Sequence, residues 1–121
     1  MGRRSYEDHE GAIPKRLNIV ATRNQNLKVS PDIRIANNLK ACVDLAAEVS
    51  QSYFVIGGSG LIVEALPQAS VVFETVVDAD IDGDTFLPVL DFSDWSTDVV
   101  AEHAVDKTHT YAYTIYRHAR R

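Results

Sequence analysis

With 121 residues, 45% of them apolar and 24% charged, the chain has the length for one globular domain and no more. A net charge of -5 argues against a general nucleic-acid binder, which carries a basic face, and no apolar run approaches membrane-spanning length. The single cysteine, Cys42, excludes an internal disulfide and a cysteine-based metal site, and the first residues carry no signal-peptide pattern. A cytoplasmic protein without nucleic-acid or membrane partners is expected.

Taken in chain order, Arg3 and Arg4 open a basic start, matched by Arg117, Arg120 and Arg121 at the other end. The two groups are candidates for meeting around an anion, although Arg120 and Arg121 read more simply as a solvated terminus. Residues 17–21 form a short strand candidate and residues 22–32 a polar turn ending near Pro31. Residues 33–36 are a second brief strand. Asn37 or Asn38 then caps a helix whose Leu39, Cys42, Val43, Ala46 and Val49 share one face. Cys42 on that face reads as core rather than nucleophile.

Residues 53–67 are the most informative stretch. Tyr53, Phe54, Val55 and Ile56 read as a buried strand; Gly57-Gly-Ser-Gly60 breaks the pattern; Leu61, Ile62, Ala65 and Leu66 follow at helical spacing until Pro67. Strand, glycine turn and helix start together suit an anion, because glycines admit close approach and the first helical N–H groups have no partner of their own. A phosphate or pyrophosphate is the natural guest, against the plainer reading of a tight turn. Residues 70–77 are a strand of mostly β-branched residues. In residues 108–117 an alternating pattern puts Tyr111, Tyr113 and Ile115 on one face of a closing strand.

Other constellations are weaker. Asp78, Asp80 and Asp82 followed by Gly83 imitate the start of a calcium loop, but Val89 stands where a bidentate Glu is required, so a polar loop between strands is preferred. His9, His103, His109 and His118 form no i, i+4 metal pair and read as solvated or strand-surface residues; no metal site is expected. Neither a nucleophile elbow nor a P-loop is present.

Four ordered stretches carry a resemblance: Met1-Gly-Arg-Arg-Ser-Tyr-Glu7, Ile13-Pro-Lys-Arg-Leu-Asn-Ile-Val20, Val55-Ile-Gly-Gly-Ser-Gly60 and Asp78-Ala-Asp-Ile-Asp-Gly-Asp-Thr-Phe-Leu-Pro88, with Ser93-Asp-Trp95 and the Tyr-rich end. Across nearly its whole length the chain resembles dihydrofolate reductase. The resemblance implies an α/β fold, a mixed sheet flanked by helices and ending in an antiparallel hairpin, that reduces dihydrofolate with NADPH. It implies that Gly57, Gly58, Ser59, Gly60 and Leu61, flanked by Ile56 and Ile62, cradle the cofactor pyrophosphate. Gly2, Arg3, Arg4 and Ser5 match a second cofactor segment whose guanidinium groups suit a 2′-phosphate. Thr22 and Arg23 match adenosine-side contacts, Arg16 the arginine holding the folate tail carboxylate, and Thr75 the threonine that helps anchor the pterin. The 78–85 loop corresponds to one that supports closure over the nicotinamide.

The departures set further expectations. In the family the Met-Gly-Arg motif lies well inside the sequence, so residues 1–121 are expected to be an N-terminally truncated reductase domain. Two inner strands and the helix bearing the active-site carboxylate are then missing, leaving apolar faces exposed and no catalytic residue in this chain. Asp8 and His9 replace a Ser-Ile pair, Ile62 stands where a tyrosine is usual, and Lys15 where a glycine is common. Three readings follow: a tetrahydrofolate-forming reductase whose isolated chain is inactive; a non-catalytic nucleotide-binding or split-enzyme module completed by an N-terminal segment; and a pteridine- or flavin-precursor reductase of the same fold.

Overall fold

The computed structural model describes residues 1–8 and 12–121. The chain forms two compact units, Met1–Pro67 and Gln68–Arg121.

The first unit contains α1 (Arg3–Asp8), β1 (Asn18–Ala21), β2 (Ile33–Ala36), α2 (Leu39–Ala47) and α3 (Ser59–Ala65). β1 and β2 are parallel, with Asn18 opposite Ile33 and Ala21 opposite Ala36. Both strands lie where the apolar pattern puts them, since Val20, Ile33 and Ala36 are buried beneath α2 together with Cys42. α2 begins at Asn38, whose extended backbone lets its side chain accept the Ala41 N–H at 2.8 Å. Burial pushes the Cys42 thiol up, in keeping with a core residue.

Two expectations fail in this unit. Val49 lies beyond the end of α2 and is 68% exposed, because the helix closes at Ala47 with Glu48 as its C-cap. Residues 53–56 are not a buried strand: no ladder forms along them, and Tyr53 and Phe54 are exposed. Apolar, β-branched sequence encodes a strand only if a neighbour supplies hydrogen-bond partners. Here the first backbone contact comes after the segment, where the Gly2 N–H donates to the Gly57 carbonyl at 2.7 Å. α3 runs into a 3-10 turn over Leu66–Gln68, so Pro67 tightens the chain after the helix rather than cutting it off.

The second unit is an antiparallel sheet of β3 (Val71–Val77), β4 (Trp95–His103) and β5 (Tyr113–Arg120) in the order β3-β5-β4. β4 and β5 are the expected closing hairpin, with a bulge between Val99 and Ala101. β4 itself has no clean two-residue alternation, which is why its length was not legible. β5 starts at Tyr113 rather than Thr108, because Asp106 fixes the connection: its Oδ1 accepts the backbone N–H of Thr108 at 2.8 Å and of His109 at 2.7 Å. The His109 ring, then these backbone donors, hold the Asp106 carboxyl down to about 2.

Two readings of the closing strand need correction. His118 is buried, not on the strand surface. Phe92 stacks on its ring at 3.7 Å, Nε2–H donates to Glu74 Oε1 at 3.0 Å, and Nδ1 meets the Thr97 hydroxyl at 2.8 Å. Arg120, although exposed, is not merely solvated: its guanidinium lies 4.2 Å from the Trp95 ring centroid, and Nε donates to the Ala69 carbonyl. The 78–84 aspartates are exposed and do not gather into a ligand group among the described residues.

Candidate functional site

The site is built from chain segments far apart in sequence that meet in the first unit. Met1 and Gly2 run beside β1: Ala21 N–H donates to the Met1 carbonyl at 2.8 Å, and Gly2 forms a parallel bridge with Ala21. On the other side Gly2 donates to Gly57. This two-sided pairing brings the start of α1, the end of β1 and the glycine turn together. All lie where parallel strands give way to helices or loops, the end of an α/β sheet at which ligands bind.

The glycines are used for close approach. A Cβ on Gly2 would sit 3.6 Å from the Gly58 nitrogen, and one on Gly57 would press to 3.3 Å from Ser5 Oγ. Gly57 also has φ 130, a conformation that side chains other than hydrogen resist. At Gly60 a Cβ would meet nothing, so its openness faces space rather than a neighbour. Gly58 is the N-cap of α3 and offers no side-chain oxygen to that helix start. The first amides of α3 therefore have no side-chain cap.

Around this centre, Ser59, Leu61 and Ile62 are half-buried on α3, and Ile56 is 42% exposed just before the turn. Thr22 follows β1 directly and is tied by its N–H to the Ala36 carbonyl; Arg23 is exposed beside it. Arg3 and Arg4 are exposed on the first turn of α1. Arg3 is paired with Glu7 one turn along at 3.3 Å, whereas Arg4 forms no ion pair among the described residues.

A second feature of the same unit is a cleft of about 710 Å³ between α2 and residues 53–56. Its wall is apolar (Leu39, Val43, Phe54 and Leu61 among others), and Lys15 and Arg16 also line it. No Asp or Glu lines it among the described residues. Arg16 is held by a local device that sequence reading overlooked. The buried Asn18 side chain accepts the Ile13 N–H at 2.8 Å and donates to the carbonyls of Ile13 and Arg16, both at 2.9 Å. Those three bonds fasten the loop that carries Arg16, whose own Nε donates to the Pro14 carbonyl. A buried asparagine next to a strand start is the signal, but nothing in the sequence says which backbone groups it serves. Lys15 in the same loop has φ 64, consistent with a position where glycine is common.

Thr75 belongs to the second unit, exposed on β3 opposite Ile115. Asp8 closes α1; His9 lies outside the described residues.

Comparison with known proteins identifies the family. The family profile described as dihydrofolate reductase matches residues 1–120. The dihydrofolate reductase of Staphylococcus haemolyticus is 31% identical over 120 residues, covering 99% of this chain and 71% of the relative. That of Enterococcus faecium is 31% identical over 104 residues, covering 85% and 61%. Among solved structures, dihydrofolate reductase from Enterococcus faecalis, complexed with NADP(H) and RAB-propyl, matches with a TM-score of 0.82 at 24% identity, over 98% of this chain and 71% of that one. The chain thus spans between 61% and 71% of the length of these relatives. It belongs to the dihydrofolate reductase family, oxidoreductases that reduce dihydrofolate to tetrahydrofolate with NADPH.

Proposed function

We propose that this chain supplies the NADPH-binding part of a dihydrofolate reductase. The observation that carries the reading is the hydrogen bond from Gly2 to Gly57, which sets Gly2–Ser5 against the glycine turn. The backbone at Gly57 supports it too: φ 130 and a 3.3 Å approach to Ser5 Oγ leave no room for a side chain where the two segments meet. The unpartnered amides at the start of α3 bind pyrophosphate oxygens, and Gly57 and Gly58 let the backbone approach them. Arg4, with Arg3 once released from Glu7, recognises the 2′-phosphate, and Thr22 and Arg23 lie along the adenosine. When bound, NADPH supplies the hydride; the chain's own residues orient it and neutralise its phosphates. Arg16, fastened through Asn18, is the group for the folate tail carboxylate.

Calorimetry with NADPH and NADH tests this. Arg4→Ala is expected to weaken NADPH binding about tenfold or more, the value of one charge-assisted contact, while leaving NADH unchanged. Equal losses for both nucleotides, or no heat with NADPH on folded wild-type chain, contradict the reading.

A second reading, the split enzyme, is favoured by the exposure of Tyr53 and Phe54 along a cleft that contains no acid among the described residues. On this reading a further polypeptide segment covers that apolar wall and brings the carboxylate. The chain alone then binds cofactor without reducing dihydrofolate.

A further inference from the structure

The hairpin connection between β4 and β5 gathers three side chains that the reductase reading does not use. His103 ends β4, and Asp106 and His109 lie in the loop; one ligand atom from each falls within 4.8 Å of the others. His103 Nε2 is 3.4 Å from Asp106 Oδ2, and His109 Nδ1 is 2.9 Å from Asp106 Oδ1. Ligands about 2.1 Å from a tetrahedral cation stand roughly 3.4 Å apart, so His103 and Asp106 are already at ligand spacing. His109 and Asp106 are at hydrogen-bond distance and need to part by about half an ångström.

The orientation of the His103 ring points the same way. His103 Nδ1 lies 2.7 Å from the Ala104 carbonyl, an acceptor only, so Nδ1 is the donor there. That bond leaves Nε2, the other ring nitrogen, facing Asp106 Oδ2 across 3.4 Å. Fixing one imidazole nitrogen by donation to a backbone carbonyl is also how metal-binding histidines are oriented. The His103 ring is further steadied by stacking on Tyr113, its cross-strand partner, at 5.1 Å and 7°. All three side chains remain partly exposed, which leaves an entry path and room for water as a further ligand.

We propose that His103, Asp106 and His109 form a binding site for a divalent transition cation of the zinc class. His103 binds through Nε2, Asp106 through its carboxylate and His109 through Nδ1, His109 then carrying its ring proton on Nε2. Imidazole and carboxylate together suit zinc, nickel or copper better than calcium or magnesium. The proposal rests on the hairpin alone and is independent of cofactor or folate binding. The i, i+3 spacings from 103 to 106 and from 106 to 109 form no helical metal pair, so only the turn reveals the cluster.

The test is zinc chloride titrated into the untagged full chain, followed by calorimetry and by long-range proton–nitrogen spectra of the histidine rings. One equivalent is expected to shift His103 Nε2 and His109 Nδ1 and to leave the buried His118 ring unmoved. Asp106→Asn, which keeps an acceptor for the loop amides, and His109→Gln are each expected to weaken zinc binding by at least about tenfold. Unmoved His103 and His109 nitrogens, or a His103→Gln/His109→Gln double variant that binds zinc as tightly as wild type, overturn the proposal.

Discussion

At the scale of single residues, Lys15 shows how a backbone constraint can outlast the residue best suited to it. Its φ of 64 costs a side-chain-bearing residue about 1–2 kcal/mol relative to the right-handed region. Glycine adopts that angle freely but returns about 0.4–1 kcal/mol as extra freedom in the unfolded chain. Lys15→Gly is therefore expected to stabilise the protein by roughly 0.5–1 kcal/mol, read as a rise in the midpoint of urea unfolding with an unchanged slope. A lowered midpoint would mean that the lysine side chain contributes more than its backbone costs. The resemblance located this position; the angle explains it. His118 is the opposite case. Its burial between Phe92, Glu74 and Thr97 depends on cross-strand register, which one strand read alone does not contain.

At the scale of elements, what was legible followed from local signals. β1, β2 and β3 are short apolar runs in which neighbours confirm the pattern, and α2 announces itself by an asparagine followed by a helical apolar stripe. The Asn38 cap gives this a measurable consequence. Its side chain satisfies the Ala41 N–H at an exposed helix start, so Asn38→Ala is expected to cost about 1 kcal/mol. Asn38→Ser should recover most of that in the same urea experiment; no difference between the two variants would show that α2 is held by packing and not by its cap. What was not legible were the elements whose form is set by partners. Residues 53–56 have strand composition without a ladder, and β5 begins late because Asp106 ties the preceding residues into a turn. In the candidate site, glycine turn and Gly2–Ser5 segment were both readable as motifs. That they touch, and that Asn18 fastens the loop bearing Arg16, are facts of tertiary structure.

At the scale of the whole molecule, binding and chemistry separate. On the proposed reading, main-chain amides and arginines hold NADPH and the folate tail. Reduction of a pterin also needs a proton delivered to the ring, and general acid catalysis contributes about 10²–10⁴ in rate. The cleft beside Arg16 has no carboxylate to organise that delivery among the described residues, and its apolar wall leaves Phe54 76% exposed. On the split-enzyme reading proposed above, one segment that covers the wall and carries an acid answers both. The isolated 121-residue chain is thus expected to oxidise NADPH with dihydrofolate at neutral pH at least about 10²-fold more slowly than the same chain mixed with the N-terminal part of a family member. The mixture should also protect the backbone amides around Tyr53 and Phe54 from hydrogen exchange, because a strand laid against them supplies the missing acceptors. Robust turnover by the chain alone would overturn this reading. Protection without turnover would mean that the added segment docks but leaves its carboxylate away from the ring, which separates completion of the fold from completion of the active site.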